Sequence, residues 1–441
     1  MTKVALHTLG CKLNFSETST IGNQFLSRGY SIVDFRENAD IYVFNTCTVT
    51  GNAEKECRQL VRRVLRQNPE AYVVVAGCYA QLRPEEISKI EGVDAVLGTR
   101  EKFKIFELLN NFEKGNPSCI YVSPDGDQND FGSAHSTDAD NRTRAYFKIQ
   151  DGCDYKCSFC TIPKARGLSR SLHPQSLIAE FKSLLEQGYK EIILTGVNVG
   201  DYGKYYNTDL YDILLKMIEI EGDFRIRISS VEPNLLNDNI IELAASNDKV
   251  CRHFHIPLQS GSEKILKKMR RRYKVEDYKQ LIEKLNSSIP EIGIGVDVIV
   301  GFPGESEEDF LDTFDFLKDL DISYLHVFTY SERPGTVAVN LPGRVDVFER
   351  KRRNKLLRDL SFRKKNLFYH KMCGKKLEVL FEAENHDGLI MGFSSNYVRV
   401  AAPFKSELIN TLSTIKINDA ENLICTGEIT AINKAIDSLA S

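Results

Sequence analysis

The alternation of short apolar runs with amphipathic segments is the feature that most constrains the fold of this 441-residue chain. In residues 1–125, the runs VALHTLGC, ADIYVFNTC and AYVVVAGC are typical of buried strands. The segment at about 15–28 and the segment AEKECRQLVRRVLRQ have the periodicity of helices. Because strand, helix and strand recur in this order, we expect an open parallel sheet with helices in an N-terminal α/β domain over residues 1–125.

The alternation resumes at Arg144 and continues for six further apolar runs: RAYFKIQ, EIILTGVNV, FRIRISSVE, HFHIPLQ, IGVDVIVGF and YLHVFTY. Helical patterns such as KVEDYKQLIEKLNSSI and EEDFLDTFDFLKDL lie between most of them. Six β/α units predict a partial (β/α)6 barrel of the TIM type, or a full α/β barrel, with the carboxyl ends of all strands on one face. We assign this second domain to residues 142–370.

Polar and β-rich segments complete the predicted organisation. Residues 126–141 are polar and acidic, which predicts a linker. Residues 345–372 predict a basic helix. In residues 373–436, the short runs LEVLFEA, GLIMGFS, NYVRVAA and ICTGEITAI alternate with turn residues and predict a small β-barrel. The expected fold class is therefore α/β, with three domains.

The apolar runs and the first residues of the sequence bear on the cellular location of the protein. The longest apolar run, AYVVVAGCYA, has about ten residues, whereas a membrane-spanning helix needs about 20. The start, MTKVALHTLG, lacks the features of a signal peptide. We therefore expect a cytoplasmic protein with no membrane partner, in which the 11 cysteines are reduced and serve metal binding or catalysis rather than disulfides.

Basic residues are unevenly distributed, although the net charge is only -3. Residues 344–376 contain 13 Lys and Arg against 3 Asp and Glu, and KKMRRRYK at 267–274 has six basic residues in eight. Either run alone could be a solvated helix face. Two such runs beside a small β domain favour a polyanionic partner such as RNA.

Three closely spaced cysteines, Cys153, Cys157 and Cys160, follow the first predicted barrel strand in GCDYKCSFC. That position lies at the end of the barrel where catalysis takes place. Soft thiolates select zinc or iron–sulfur centres, and three of them could hold three irons of a cubane while one iron stays open. A zinc knuckle that borrows a distant fourth ligand is the alternative.

Another three cysteines, Cys11, Cys47 and Cys78, each end a predicted strand of the N-terminal sheet. Since parallel strands end at one edge, these thiols could converge there and hold a second cluster. Three buried structural cysteines are the alternative. His255 and the remaining five cysteines are predicted to be core or incidental residues: Cys57, Cys119, Cys251, Cys373 and Cys425.

Several motifs resemble a known family. CDYKCSFC matches the C-x3-C-x2-C signature of radical S-adenosylmethionine (SAM) enzymes, with an aromatic residue before the last cysteine. RAYFKIQDGCDYKCSFCTIPKARG, HIPLQSGS, VIVGFPGE, YSERPGT, GCKLN and FNTC resemble motifs of the methylthiotransferases in that superfamily, and the C-terminal segment resembles their TRAM domain. GCKLNFSE and ARGLSRS are most similar to the MtaB branch, which acts on N6-threonylcarbamoyladenosine at position 37 of tRNA.

This resemblance implies two [4Fe–4S] clusters. Cys153, Cys157 and Cys160 would hold a cluster whose open iron binds SAM, and an auxiliary cluster that carries the sulfur would be held by Cys11, Cys47 and Cys78. One SAM methylates that sulfur, and the 5′-deoxyadenosyl radical from a second removes hydrogen from carbon 2 of the adenine. The methylthio group then joins that carbon. The reaction needs an electron donor such as flavodoxin or ferredoxin.

Further site residues follow from the same resemblance. Positions expected near SAM are Phe159, Gly196, Glu232, Ile299 and Gly301. A threonylcarbamoyl group carries a carboxylate, for which an arginine is the preferred partner; Arg166 and Arg333 are the candidates, ahead of Arg170. The alternatives are a family member that acts on isopentenyladenosine in tRNA or on a ribosomal protein, and a non-enzymatic iron–sulfur protein that binds RNA or transfers electrons.

Overall fold

A computed structural model describes residues 1–48, 51–109, 111–114, 117–124, 131–136 and 143–432, with the side chains of 51–54 outside the description. Within these ranges the chain forms an N-terminal sheet, a central barrel and a C-terminal β-barrel. None of the helices in the described ranges is both long enough and apolar enough to cross a membrane.

The N-terminal sheet has six parallel strands in the order β2-β1-β3-β4-β5-β6. The strands are β1 Lys3–Thr8, β2 Ser31–Val33, β3 Ile41–Thr46, β4 Tyr72–Gly77, β5 Ala95–Leu97 and β6 Cys119–Tyr121. The two central strands, β3 and β4, are buried along their whole length because helices cover both faces of the sheet. The prediction of an open parallel sheet is confirmed; the short outer strands β2, β5 and β6 were not predicted.

Helices cover both faces of this sheet. They are α1 Lys12–Leu26, α2 Gly51–Gln67, α3 Cys78–Leu82, α4 Pro84–Ser88 and α5 Ile105–Leu108. On one face, Ile21 and Phe25 of α1 pack with Val43 of β3. On the other face, Val61 and Val64 of α2 pack with Phe44 of the same strand. Strand β3 therefore contributes side chains to two separate apolar layers, one on each face of the sheet.

The central domain is a partial barrel of six parallel strands, which confirms the prediction. Its strands and short flanking strands are β7 Ala134–His135, β8 Arg144–Lys148, β9 Gln150–Asp151, β10 Arg170–Ser171, β11 Glu191–Thr195, β12 Arg225–Ile228, β13 His253–His255, β14 Gly293–Val300 and β15 Tyr324–Thr329. The parallel order is β8, β11, β12, β13, β14, β15, with isolated bridges linking β12 to β13. Strand β7 pairs antiparallel with β8 at the open edge, in the segment predicted to be a linker.

The helices of the central domain cover the outer face of these strands, except α6, which contacts α3 of the N-terminal domain. They are α6 Ile162–Arg166, α7 Pro174–Glu186, α8 Leu210–Ile218, α9 Asp238–Ser246, α10 Glu263–Met269, α11 Val275–Ser288, α12 Glu307–Asp319 and α13 Val347–His370. Val296 and Val298 of β14 lie in the same apolar core as Leu357 of α13. The alternate strand residues therefore face the concave side of the barrel, which we call the lumen.

The C-terminal domain is a closed β-barrel in the order β16-β17-β18-β20-β19, as predicted. Its strands are β16 Lys376–His386, β17 Leu389–Ser394, β18 Arg399–Pro403, β19 Leu412–Glu421 and β20 Ile424–Ile432. The turn after β17 closes one end of the lumen: Arg225 donates to the carbonyl of Phe393 at 2.7 Å, and Arg227 donates to the carbonyl of Ser394 at 3.0 Å. Tyr397, in the same turn, forms part of this lumen floor.

Candidate functional site: two sets of cysteines joined by a buried ion network

The first set of thiols, Cys153, Cys157 and Cys160, lies on the loop after β9 and before α6; we call it the cluster loop. Its start is fixed by a hydrogen bond from the amide of Cys153 to the carbonyl of Gly167, at 3.1 Å. Gly152 has φ +70, and a Cβ at that position would lie 2.0 Å from the carbonyl oxygen of Leu168. Glycine is therefore required for the loop to turn back on itself.

In the described structure, each sulfur of the cluster loop accepts a hydrogen bond. The amide of Tyr155 donates to Sγ of Cys153 at 3.4 Å, and the amide of Ile162 donates to Sγ of Cys160 at 3.4 Å. Nη1 of Arg271 donates to Sγ of Cys157 at 3.1 Å. Such donors stabilise negative charge on sulfur, so the loop suits three metal-bound thiolates.

Burial controls the protonation of these thiols. It raises the pKa of Cys153 and of Cys160 to about 12. Burial also raises the pKa of Cys157, although Arg271 opposes it. The free thiols are thus protonated near neutral pH, and a metal that binds them must displace three protons.

Glu232 and Arg271 form an ion pair beside the cluster loop. Arg271 is 3% exposed, and its Nε donates to the phenol oxygen of Tyr273 at 3.1 Å. Burial raises the pKa of Glu232, although Arg271 lowers it. At least this arginine of the basic run 267–274 is therefore structural and does not belong to a solvated face.

The other residues predicted to contact SAM lie in tightly packed positions. A Cβ on Gly196 would lie 2.8 Å from Oε1 of Gln150, and Gly301, with φ +77, donates its amide to Glu305 at 3.0 Å. Phe159 and Ile299 pack against one apolar cluster centred on Phe302. Their contact with SAM stays a prediction.

The second set of thiols meets at the carboxyl edge of the N-terminal sheet, and we call it the cysteine edge. Cys11 precedes α1 and is exposed, Cys47 follows β3 and is buried, and Cys78 begins α3 and is buried. A Cβ on Gly10, which has φ +133, would lie 2.7 Å from Cβ of Cys47. This close approach brings the two strand ends together, as the parallel sheet predicts.

Arg166 connects the cysteine edge to the cluster loop. It ends helix α6, which follows that loop, and its Nε donates to Sγ of Cys78 at 3.2 Å. Its Nη2 donates to Oδ1 of Asn14 at 2.7 Å, and Asn14 in turn donates to the carbonyl of Thr46 at 3.1 Å. Arg166 thereby contacts Cys78 directly. Through Asn14 it is also linked to the first turn of α1, which follows Cys11, and to Thr46, which precedes Cys47.

A buried ion network surrounds this arginine. Its anions are Glu17 and Asp151, and its cations are Lys102, Lys148, Arg166 and Arg170. No side chain in it is more than 5% exposed. Burial alone would raise the pKa of Glu17, but the neighbouring cations hold it far below its usual value. Four cations face two carboxylates, so an anionic iron–sulfur centre at the neighbouring cysteine edge would balance the charge.

The arginines predicted to bind substrate occupy buried positions. Both Nη atoms of Arg166 are bonded to the chain's own groups, at 2.9 Å to Glu17, 3.0 Å to Asp151 and 2.7 Å to Asn14. Arg170 donates to Asp151 at 2.9 Å, and Arg333 is 4% exposed. The geometry supports a connecting role for Arg166, and substrate contact by Arg166 or Arg333 stays a prediction.

Three residues near the lumen were not predicted from the sequence: Lys12, whose Nζ lies 5.6 Å from the ring centroid of Tyr397, and Asp297 and His326, which pair on strands β14 and β15. His255, predicted to be a core residue, lies on the lumen side, 2.7 Å from Asp297. The two-residue alternation in IGVDVIVGF and YLHVFTY places their polar residues on the face opposite the core, and this signal could have identified two of the three.

Comparison with known proteins identifies two domains and several relatives. Residues 147–317 match the radical SAM superfamily, and residues 3–98 match uncharacterized protein family UPF0004. Threonylcarbamoyladenosine tRNA methylthiotransferase MtaB of Bacillus subtilis (strain 168) is 39% identical over 95% of this chain and 94% of its own length. The tRNA-2-methylthio-N(6)-dimethylallyladenosine synthase of Clostridium novyi (strain NT) is 35% identical over 96% of both chains.

Solved structures share the fold. The radical S-adenosylmethionine methyltransferase TsrM from Kitasatospora setae, with cobalamin and a [4Fe-4S] cluster bound, aligns with a TM-score of 0.55 at 16% identity over 77% of each chain. The cobalamin-dependent radical enzyme OxsB aligns with a TM-score of 0.50 at 13% identity, over 81% of this chain and 56% of its own. At these identities the likeness concerns the fold alone.

Proposed function

Because the chain belongs to the radical SAM methylthiotransferase family, which uses SAM and two [4Fe–4S] clusters, we propose that it converts N6-threonylcarbamoyladenosine at position 37 of tRNA to the 2-methylthio derivative. The observation that carries the proposal is the pair of cysteine sets held together by Arg166. Relatives named for threonylcarbamoyladenosine reach 39% identity over most of the chain. Relatives named for the dimethylallyl nucleoside reach 35%, so that substrate is the second candidate.

We assign one cluster to the cluster loop and the auxiliary cluster to the cysteine edge. Each set offers three soft thiolates. In each four-iron cluster, one iron therefore has no cysteine ligand from its set. When bound, the clusters with SAM supply the radical and the sulfur that the inert carbon 2 of adenine requires. The loop amides of Tyr155 and Ile162 and the guanidinium of Arg271 stabilise the negative sulfurs.

The chain's own residues position the reactants. We place SAM at the barrel end near Phe159, Gly196, Glu232, Ile299 and Gly301. The buried ion network holds the cysteine edge at a set position relative to the cluster loop, and such fixed placement is what a reaction between two bound groups needs.

We propose that tRNA phosphates bind the exposed side of α13. Lys351, Lys355 and Arg358 line a groove of about 430 Å³ together with Phe362, whose exposure is 55%. We call these three cations the α13 basic patch. Arg350 and Arg353 of the same helix are instead buried and paired with Glu332 and Glu305.

The electron donor is a flavodoxin or ferredoxin, and the site of action is the cytoplasm.

The experiment is an anaerobic assay with the reconstituted enzyme, SAM and a reductant. Three anticodon stem–loop RNAs are compared, with threonylcarbamoyladenosine, isopentenyladenosine or plain adenosine at position 37, and products are read by mass spectrometry. Methylthiolation of the first RNA alone supports the proposal. Equal or faster turnover of the isopentenyl RNA would transfer the assignment to the second candidate. An absence of 5′-deoxyadenosine with every RNA would contradict the radical chemistry.

A further inference from the structure

Three polar side chains lie on the lumen face of three adjacent barrel strands. His255 ends β13, Asp297 lies in β14 and His326 lies in β15. Asp297 pairs directly with His326, and His255 pairs with the residue two positions before Asp297. The residues before and after each of the three pack in or against the apolar core of the barrel. Because side chains alternate along a strand, the three polar groups share the opposite face.

These side chains bring one possible metal ligand each to the same small volume. Oδ1 of Asp297 lies 2.7 Å from Nε2 of His255 and 3.4 Å from Nδ1 of His326. A nitrogen of each histidine and a carboxylate oxygen of Asp297 all lie within 4.8 Å of one another. Metal–ligand bonds of about 2.1 Å in a tetrahedral site place neighbouring ligand atoms about 3.4 Å apart. The spacing suits one metal ion, toward which the ring of His326, 54% exposed, can turn.

The close contacts of Asp297 with the two histidines are not hydrogen bonds. Its Oδ1 is buried, and among the described residues no group donates a hydrogen bond to it. Burying a carboxylate oxygen without a donor costs stability, so such an atom in a native structure calls for a partner of another kind. The ligands of a metal ion have this arrangement, because their lone pairs point at the shared ion and not at one another.

Asp297 also differs from other interior carboxylates in its charge partners. Glu17 and Asp151 face the four cations of the buried ion network, and Glu191 lies against two arginines of β12. In the part of the chain that the structure describes, no lysine or arginine forms an ion pair with Asp297, and its partners are histidines. A neutral histidine does not balance a carboxylate charge, whereas a divalent cation does.

We propose that His255, Asp297 and His326 form a site for one divalent first-row metal ion, zinc or iron(II). Two histidines and one carboxylate are a recurring ligand set for both ions, in which further coordination positions stay open. None of the cysteines assigned to the clusters belongs to this group. With three ligands from the chain, at least one position remains for water or for an oxygen atom of a molecule bound in the lumen.

The metal site lies deeper in the lumen than the strand position near which we place SAM. Ile299, one of the SAM positions, follows Asp297 by two residues on β14 and shares its face. At about 3.3 Å per residue, the two positions are about 7 Å apart along the strand. An oxygen atom held by the metal would therefore lie near the adenosyl group. This last placement rests on the proposed function, whereas the metal site itself does not.

Zinc binding by the reconstituted holoenzyme tests the site. In the holoenzyme, iron occupies the cysteines assigned to the clusters, and zinc displaces any iron(II) from the new site because it binds such ligands more tightly. The protein is dialysed anaerobically against micromolar zinc without RNA or SAM, and bound zinc and iron are measured by mass spectrometry. We expect about one zinc per chain, with the cluster iron retained. Zinc-edge X-ray absorption should show nitrogen and oxygen ligands at about 2.0–2.2 Å and no sulfur at about 2.3 Å.

Variants remove one ligand at a time. His326→Ala should lower the zinc affinity by at least about a hundredfold, since loss of a group that only supports a metal ligand already costs about 10–100-fold. More than half of this side chain is exposed, so its removal leaves no large buried cavity. Asp297→Asn should have the same effect; if that interior change prevents folding, His326→Ala decides alone. His386→Ala removes an exposed histidine that pairs with Glu384 and should bind zinc as the wild type does.

Three results would overturn the metal site. Wild-type holoenzyme that takes up no zinc would show that the three groups meet without a metal. A sulfur shell in the X-ray absorption of bound zinc would place the ion on cysteines instead. Zinc that binds His326→Ala as tightly as the wild type would place it elsewhere on the chain. No RNA or turnover enters these measurements, so a wrong assignment of the tRNA substrate would leave their outcome unchanged.

Discussion

Glu17→Gln removes one of the two anions of the buried ion network and should destabilise the junction between the N-terminal sheet and the barrel. Glu17 has no exposed side-chain surface, and its carboxylate lies within 3.1 Å of Lys102, Lys148 and Arg166. The substitution keeps the shape of the side chain but leaves four cations with only Asp151. Breaking a buried ion pair from one side costs about 3–5 kcal/mol, a large fraction of the roughly 5–15 kcal/mol that stabilises a domain.

The assay is urea unfolding of reduced, metal-free protein followed by circular dichroism, with Glu70→Gln as an exposed control that should shift stability by less than about 0.5 kcal/mol. The difference between wild type and Glu17→Gln should also depend on pH. The pKa of Glu17 is lowered in the folded state, so its contribution is complete above the unfolded pKa of about 4.3 and is lost as the pH falls below it. A difference under about 1 kcal/mol at pH 7, or one that does not shrink in acid, would refute the reasoning.

Further predictions concern the clusters and the RNA surface. Replacing all three cysteines of the cluster loop by alanine should reduce bound iron from about eight to about four per chain and abolish SAM cleavage; zinc as the dominant metal in the wild type would contradict this. Replacing the cysteine edge by alanine should preserve slow SAM cleavage without methylthio product, and full product formation would exclude a sulfur-carrying role. Arg166→Lys should shift the midpoint potential of the auxiliary cluster, because Nε no longer donates to Cys78, while iron content stays near that of the wild type. Changing the α13 basic patch to glutamine should weaken tRNA binding and flatten its salt dependence, with unchanged affinity as the contrary result.

Strands β1, β3 and β4 of the N-terminal sheet and the six parallel strands of the barrel could be located from hydrophobic periodicity, because each lies within an apolar run of the sequence. The outer strands β2, β5 and β6 have three residues each, too few to produce a periodic signal. Strand β19 was missed because LSTIKINDAE contains six polar residues, one of which, Ser413, is buried. Pairing with β20 in the small barrel, and not the local β-propensity of its residues, makes this segment a strand.

The location of the cluster loop and of the cysteine edge could be predicted from the sequence. Each of their cysteine segments follows a predicted strand, and parallel strands end at the same edge of a sheet. The role of Arg166 could not be predicted, because its partners Glu17 and Cys78 belong to a different domain and are brought near only by the tertiary fold. For the same reason the basic run 344–376 could not be divided in advance into buried, paired residues such as Arg353 and exposed residues such as Lys355.

The central claim, methylthiolation of threonylcarbamoyladenosine in tRNA, is tested most directly by mass spectrometry of nucleosides from cellular tRNA. The chain is expressed in a host whose tRNA contains threonylcarbamoyladenosine and isopentenyladenosine but no 2-methylthio form of either. The account predicts that 2-methylthio-N6-threonylcarbamoyladenosine appears with the wild type and not when the cluster loop cysteines are replaced by alanine. Appearance of 2-methylthio-N6-isopentenyladenosine alone, or of no new nucleoside, would contradict it.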